Sequence, residues 1–151
     1  MPTWLMKSEP DEFSIDMLRE RGEGRWDGVR NYQARNFLRG MQKDELFFFY
    51  HSSCAQPGIA GIGRITATAY PDPSALDPHS PYHDPKATAT SNPWSAVDVA
   101  FVEAFAQVLP LPRIRAEARL DALELIRRGS RLSVMPVADG HWQLLLQLAR
   151  N

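Results

Sequence analysis

Residues 26–39 read Trp-Asp-Gly-Val-Arg-Asn-Tyr-Gln-Ala-Arg-Asn-Phe-Leu-Arg, and this stretch says more about the fold than any other in the chain. Asn31 has the side chain of a helix N-cap, and Gly40, just after the stretch, is a residue type that ends helices. The apolar residues between them share one helical face and are Ala34, Phe37 and Leu38. Glycines lie on both sides of Trp26, so the stretch predicts a tryptophan in a loop followed by an amphipathic helix.

Two roles are open to Trp26: a plug in the apolar core, or a wall on which a planar ligand stacks. Flat rings are bound between aromatic faces while amides and hydroxyls bind their edges, and Asn31, Ser52 and Ser53 have that chemistry. The cations that could hold a phosphate beside such a ligand are Arg25, Arg30 and Arg35. Composition alone favours the core plug, and both roles stay open at this point.

The rest of the chain predicts strands and helices in irregular alternation. Strands are expected at residues 4–6, 46–50, 59–70, 97–101 and 132–137. Helices are expected at 13–18 with Ser14 as N-cap, at 120–126, and at 139–149 with Asp139 as N-cap. Residues 71–93 hold six prolines, which predicts one long loop packed on the body through Tyr82 and Trp94. Without regular βαβ alternation the fold class is α+β, and with no linker we expect one domain over residues 1–151.

Composition narrows the function classes. The chain has 151 residues, of which 44% are hydrophobic and 23% charged, and its formal net charge is −1, which excludes a broadly basic nucleic-acid binder. The charge is uneven, since residues 19–43 carry seven basic and three acidic side chains. The first 13 residues do not resemble a secretory signal, and no apolar run approaches the roughly 18–20 residues that span a bilayer. We therefore expect a cytoplasmic protein with no membrane partner.

Few residues suggest catalysis or metal binding. Cys54 is the only cysteine, which excludes an internal disulfide and a cysteine-cluster zinc site. His79 and His83 have metal-like spacing, but the prolines around them prevent a helix, so we expect neither a metal nor a cofactor. Lys7 beside Glu9 could serve as a base or nucleophile, although an ordinary ion pair explains the same residues. With no catalytic motif elsewhere, we expect a protein that is not an enzyme.

Eight blocks of the sequence resemble the signature blocks of the EVE domain family and occur in the family's order from about residue 3 to 148. They are Met6-Lys-Ser-Glu-Pro10, residues 26–39, Phe48-Phe-Tyr-His-Ser52, Pro57-Gly-Ile-Ala-Gly-Ile62, Ala69-Tyr-Pro-Asp72, Tyr82-His-Asp-Pro85, Val97-Asp-Val99 and Arg131-Leu-Ser-Val134. The block at 26–39 is the longest and the most specific. The resemblance implies a PUA-like fold, in which helices surround a twisted, partly closed β-barrel.

EVE domains are similar to YTH domains, which bind methylated adenine in RNA, and some are implicated in recognising modified cytosine in DNA. The resemblance therefore implies a non-enzymatic reader that takes a flipped, modified base of DNA or RNA into an aromatic pocket. The implied pocket residues are Lys7, Ser8, Trp26, Asn31, Tyr32, Ser52, Ser53 and Trp94. Relatives often have asparagine at the position of Ser53, and serine lacks the paired amide donor and acceptor. Two alternatives remain: a small hydrolase of a modified nucleoside or amide that uses Lys7 and Glu9, and a protein-interaction domain without a base pocket.

Overall fold

One mixed sheet of six strands organises the structure, a computed structural model that describes residues 1–151. The strands are β1 Thr3–Ser8, β2 Glu23–Trp26, β3 Leu46–His51, β4 Gly58–Pro71, β5 Ser95–Pro110 and β6 Val134–Val137. Their order in the sheet is β2-β5-β4-β3-β1-β6, and only the β1–β3 pair is parallel. The helices are α1 Ile15–Arg21, α2 Tyr32–Gly40, α3 Leu111–Arg115 and α4 Asp139–Arg150. This arrangement confirms the predicted α+β class.

The two longest strands, β4 and β5, give the sheet its curvature. Their pairing shifts register at four places, and such bulges bend a strand and increase its twist. The edge strands β2 and β6 do not pair with each other, so the sheet remains open. Bent central strands with unpaired edges agree with the partly closed barrel that the family resemblance implied.

Strand β3 supplies the centre of the core, because its three consecutive phenylalanines are fully buried. Phe47 and Phe49 contact Trp26 on one face of the sheet, while Phe48 stacks on Trp142 of α4 on the other face. This confirms the prediction of a strand buried on both faces. Gly63 of β4 leaves room for this packing, since a Cβ there would lie 2.3 Å from the Phe47 ring.

Both predicted caps in the first part of the chain are confirmed. The Ser14 hydroxyl accepts a hydrogen bond from the Met17 amide at 3.1 Å, and the Asn31 side chain accepts one from the Ala34 amide at 2.9 Å. The predicted cap at Asp139 is wrong, because that residue lies in the first turn of α4 and its side chain makes no capping bond.

Three elements differ from the sequence predictions. Trp26 ends strand β2 instead of lying in a loop, because β2 pairs with the distant strand β5, where Trp26 lies opposite Val97. Strand β5 continues well beyond residue 101 because it pairs with β4 as far as Pro110. Two 3₁₀ turns, Ala118–Leu120 and Glu124–Ile126, replace the helix expected at 120–126, and α3, which begins beside Pro112, was not predicted.

The proline-rich loop at 71–93 is confirmed, and a buried carboxylate anchors it. Asp72 accepts hydrogen bonds from the amides of Gly28 and Ser74 and from the Arg30 guanidinium. Its own amide donates to the Trp94 carbonyl at 3.0 Å. Burial alone would raise the pKa of Asp72, but these hydrogen bonds outweigh burial and lower it below its ordinary value. The loop is thereby fixed against the segment that follows β2.

Candidate functional site

A cavity of about 810 Å³ opens at the edge of the sheet where β1 and β3 end. Parallel strands end at the same edge, so Lys7 and Ser8 of β1 come beside Ser52 and Ser53, which follow β3. The Ser52 amide donates to the Ser8 carbonyl at 3.0 Å, and the Lys7 amide donates to the Ser133 carbonyl at 2.8 Å. Backbone hydrogen bonds therefore hold the polar wall of the cavity.

Trp26 forms the apolar floor of this cavity. It lies edge-to-face against Phe13, Phe47 and Phe49, with ring centroids 5.0–5.7 Å apart, and only 4% of the residue is exposed. The Trp26 ring is therefore chiefly part of the core, the role that the composition of the sequence favoured. Its remaining exposed surface borders the cavity. Packing on three phenyl rings fixes the orientation of the indole before any ligand arrives.

Tyr82 forms an aromatic wall that the sequence analysis did not assign to the pocket. Its ring lies over Gly28, where an added Cβ would come within 2.8 Å of three ring carbons. Its hydroxyl donates to Glu12, and its carbonyl accepts two hydrogen bonds from Arg30, at 3.1 and 2.7 Å. Burial and the bond to Glu12 raise the pKa of Tyr82. The sequence offered only a glycine after Trp26 and an aromatic residue in a long loop; the φ of +77° at Gly28 and the approach of the Tyr82 ring are visible in the structure alone.

Three of the predicted pocket residues lie outside the cavity. Asn31 is exposed and caps α2. Tyr32 is 59% exposed and stacks on Trp94 with centroids 4.8 Å apart. Trp94 is buried, and its indole N–H donates to Asp84 at 2.8 Å. Tyr32 and Trp94 therefore form a separate surface pair, and Tyr82 occupies the position that was expected of Trp94.

The three arginines predicted to hold a phosphate are all engaged within the protein. Arg30 uses both Nη atoms and Nε on Asp72, Ser74 and backbone carbonyls. Arg35 donates to the Pro93 carbonyl and to Asn36. Arg25 does line the cavity, where it pairs with Asp27 at 2.9 Å. Arg30 would have to give up internal hydrogen bonds in order to bind a phosphate, whereas Arg25 uses only Nε on Asp27 and keeps both Nη groups free.

Lys7 is the one lysine that lines the cavity. Burial lowers the pKa of Lys7, with the charge of Glu124 opposing it, and Nζ lies 5.7 Å from the Tyr50 ring centroid. Lys7 makes no ion pair, so the predicted contact with Glu9, which is exposed, is not formed. Its ammonium is therefore a free donor directed toward a half-buried site.

His51 links the cavity to α1. Its Nε2 accepts a hydrogen bond from the Ile15 amide at 3.2 Å, at the first residue of the helix. That bond requires an unprotonated Nε2, and burial lowers the pKa of His51 against the opposing charge of Asp16. A neutral imidazole thus positions α1 and, through the turn before it, Phe13 at the cavity.

The structure has no metal-binding cluster and no membrane-spanning helix. No group of three or more histidine, cysteine or acidic side chains is placed to hold a metal ion, and this includes the loop with His79 and His83. None of the helices combines the length and the apolarity that crossing a bilayer demands.

An open, bent mixed sheet with an aromatic and polar cavity at the ends of two parallel strands defines a small binding domain of the PUA-like class. The chain belongs to the EVE domain family, whose sequence model matches residues 2–148. This confirms the resemblance that the eight sequence blocks carried.

Known proteins resemble this chain over nearly its whole length. A protein of Pseudomonas putida is 64% identical to it and superposes with a TM-score of 0.95, covering 97% of this chain and 99% of that one. Thymocyte nuclear protein 1 of Mus musculus is 39% identical over an alignment of 164 residues, which covers 96% of this chain and 72% of the mouse protein. Human THYN1, solved in complex with DNA that contains 5-methylcytosine, is 38% identical with a TM-score of 0.94, covering 100% and 99%.

Proposed function

We propose that this chain is a non-enzymatic reader of nucleic acid, which takes a flipped, modified base into the cavity beside Trp26. The cavity carries the proposal, because its volume of about 810 Å³ holds a base together with part of its sugar. The complex of human THYN1 with 5-methylcytosine-containing DNA supports it, since that protein shares this fold at 38% identity. A cavity adjoining Trp26 also favours the reader over a protein-interaction domain without a pocket.

The lining suits a flat ring with polar edges. Trp26 and Tyr82 offer aromatic surface, while the Lys7 ammonium and the hydroxyls of Ser8 and Ser52 offer donors and acceptors at one wall. Removing a base from a duplex costs a few kcal/mol, which stacking and edge contacts must return. A methyl group that fills an apolar corner adds about 0.8 kcal/mol, hence about a fourfold preference for the methylated base.

No observation favours the hydrolase over the reader. Lys7 lacks a carboxylate partner at ion-pair distance, and Glu9 is exposed. Burial does lower the pKa of Lys7 toward the neutral amine that a base or nucleophile needs, but no second side chain is hydrogen-bonded to Nζ to share in catalysis.

Fluorescence anisotropy with labelled duplexes tests the proposal. We expect a duplex with one 5-methylcytosine to bind several-fold more tightly than the same duplex with cytosine. Trp26→Phe should reduce that preference, because the smaller ring changes the floor of the cavity. Trp142→Phe is the matched control, since Trp142 is equally buried but stacks on Phe48 on the other face of the sheet. Equal binding of both duplexes, unchanged in Trp26→Phe, would contradict the proposal.

A further inference from the structure

The arginines of this protein fall into two groups according to whether a carboxylate neutralises them. Eight of the fourteen arginines lie within 4.0 Å of an aspartate or glutamate oxygen. Two more, Arg35 and Arg39, donate to the carbonyl of Pro93. The four that remain have no hydrogen-bond acceptor in the protein and are Arg21, Arg115, Arg128 and Arg131.

Two of the four uncompensated arginines line the cavity. Arg21, at the end of α1, and Arg131, before β6, both line it and are exposed. Arg128 is exposed and lies three residues before Arg131 on the same loop. The charge of Arg115 opposes the burial that raises the pKa of Tyr50, the residue whose ring neighbours the Lys7 ammonium. Arg21 and Arg131 therefore border the cavity at the end of β1 and β3, and Arg128 is close to Arg131 along the chain.

The acidic residues at the cavity do not cancel this charge. Asp27 is paired with Arg25, while Glu12 accepts a hydrogen bond from the neutral Tyr82 hydroxyl and keeps its negative charge. Glu9 is the remaining acidic residue of the lining, and it faces solvent. The lining thus carries one more positive than negative side chain: Lys7, Arg21, Arg25 and Arg131 against Glu9, Glu12 and Asp27.

We propose that Arg21, Arg128 and Arg131 bind the phosphodiester backbone beside the flipped base, an inference that rests on the proposed function. When a base enters the cavity, its sugar and the adjoining phosphates lie at the mouth, where Arg21 and Arg131 are exposed. A guanidinium binds two phosphate oxygens with parallel hydrogen bonds, and these arginines break no internal bond to do so. Arg25, Arg30 and Arg35, by contrast, are held by the protein itself.

The double variant Arg128→Gln/Arg131→Gln tests this surface. Its matched control is Arg113→Gln/Arg119→Gln, which removes the same charge from exposed arginines that share the carboxylate of Glu117. Losing two phosphate contacts should weaken binding of methylated and plain duplexes by the same factor, roughly tenfold at low salt. The slope of log affinity against log salt is negative, and it should become shallower by about two in the test variant. The control should keep the wild-type affinity and slope. Circular dichroism confirms that both variants are folded.

Other arms of the experiment separate this inference from the proposed function. Free 5-methylcytidine has no phosphate, so its binding should be the same in the test variant and the wild type. RNA of the same sequence, titrated in parallel, shows whether the surface binds a DNA or an RNA backbone. If the test variant binds both nucleic acids like the control, the backbone surface is wrong even if Trp26→Phe abolishes the methyl preference. If no methyl preference exists but the test variant loses affinity and slope, the reader proposal fails and the surface stands.

Discussion

Trp26 and Trp94 were both expected to be walls of one pocket, yet they lie in regions of opposite character. Trp26 lies against three phenyl rings and borders an open cavity with polar groups nearby. Trp94 is covered by Tyr32, and its only polar atom is already bound to Asp84. The comparison shows that aromatic and polar residue types do not make a site by themselves. The cavity beside Trp26 is the larger, about 810 Å³ against about 500 Å³ beside Trp94, and the unpaired Lys7 ammonium lies in its lining.

Asp72 connects the two regions, so its loss should have the largest effect. Asp72→Ala removes the acceptor of Gly28 and Arg30 and frees the loop that carries Trp94. Removing one partner of a buried ion pair leaves the other uncompensated, and we expect the free energy of unfolding to fall by about 3 kcal/mol. Chemical denaturation measures this.

Asp44→Ala is the control for that variant, because Asp44 pairs with Arg64 on the surface at 2.8 Å. Surface pairs contribute less than about 1 kcal/mol. The lowered pKa of Asp72 adds a check on pH, since its contribution is present above the ordinary carboxyl pKa and is lost as pH falls through the lowered value. Equal effects of the two substitutions would show that Asp72 does not hold the regions together.

Gly28→Ala should disturb the region of the cavity and leave the region of Trp94 unchanged. The new methyl group would collide with the Tyr82 ring and strain a backbone at φ +77°, so Tyr82 must move from the cavity wall. We expect a loss of about 1–2 kcal/mol in stability and, if the wall binds the base, roughly tenfold weaker binding of methylated duplex.

Gly22→Ala matches that change, because Gly22 has φ +79° and open space around its Cα. The Gly22→Ala variant has the same backbone strain but no collision. Its free energy of unfolding should fall by about 1 kcal/mol, and its affinity for the methylated duplex should stay unchanged. Were both variants to bind equally well, Tyr82 would not be a wall of the site.

Tyr32→Ala should damage only the other region. Removing an exposed ring that stacks on Trp94 should lower the free energy of unfolding by about 1 kcal/mol. Affinity for methylated and plain duplexes should stay within about twofold of the wild type, since Tyr32 does not line the cavity. A loss of the methyl preference in anisotropy titrations would restore Tyr32 and Trp94 to the site.

Substitution of His51 should have the smallest effect, a change in how the stability of the protein depends on pH. His51 lies beside the cavity and accepts a hydrogen bond from the Ile15 amide. Its pKa is lowered in the folded state, so the unfolded chain binds the proton first and stability falls as pH drops below about 6.5. For a half-buried group we expect roughly 0.5 kcal/mol. Unfolding followed between pH 8 and 5 should show a smaller decline in His51→Gln than in the wild type. His79→Gln, in the exposed loop, should retain the full decline; equal declines in both variants would exclude His51 as the cause.

Much of the fold was predictable because its signals are local. The Asn31 cap, the apolar face of α2 and the apolar run of β3 each lie within a dozen residues and were predicted correctly. The extent of β5 and the strand position of Trp26 depend on pairing with distant strands, which no local pattern displays.

The position of the site residues was predictable only in part, for the same reason. Lys7, Ser8, Ser52 and Ser53 meet because β1 and β3 run parallel, and these are residues that the family resemblance had grouped. Arg30 looked like a free cation until a carboxylate 42 residues away proved to hold it. The sequence does not distinguish Arg21 and Arg131 from the other arginines. Whether an arginine is free to bind a phosphate depends on which carboxylates lie near it in the folded structure.

Two contacts between the start and the end of the chain bear on folding during synthesis. The Lys7 amide donates to the Ser133 carbonyl, and Thr3 pairs with Val137. A nascent chain cannot complete the cavity until its last strand has left the ribosome, because early and late segments build the same wall. Contacts this distant in sequence form late in folding. A ligand that binds only the complete cavity shifts the folding equilibrium toward the complete structure.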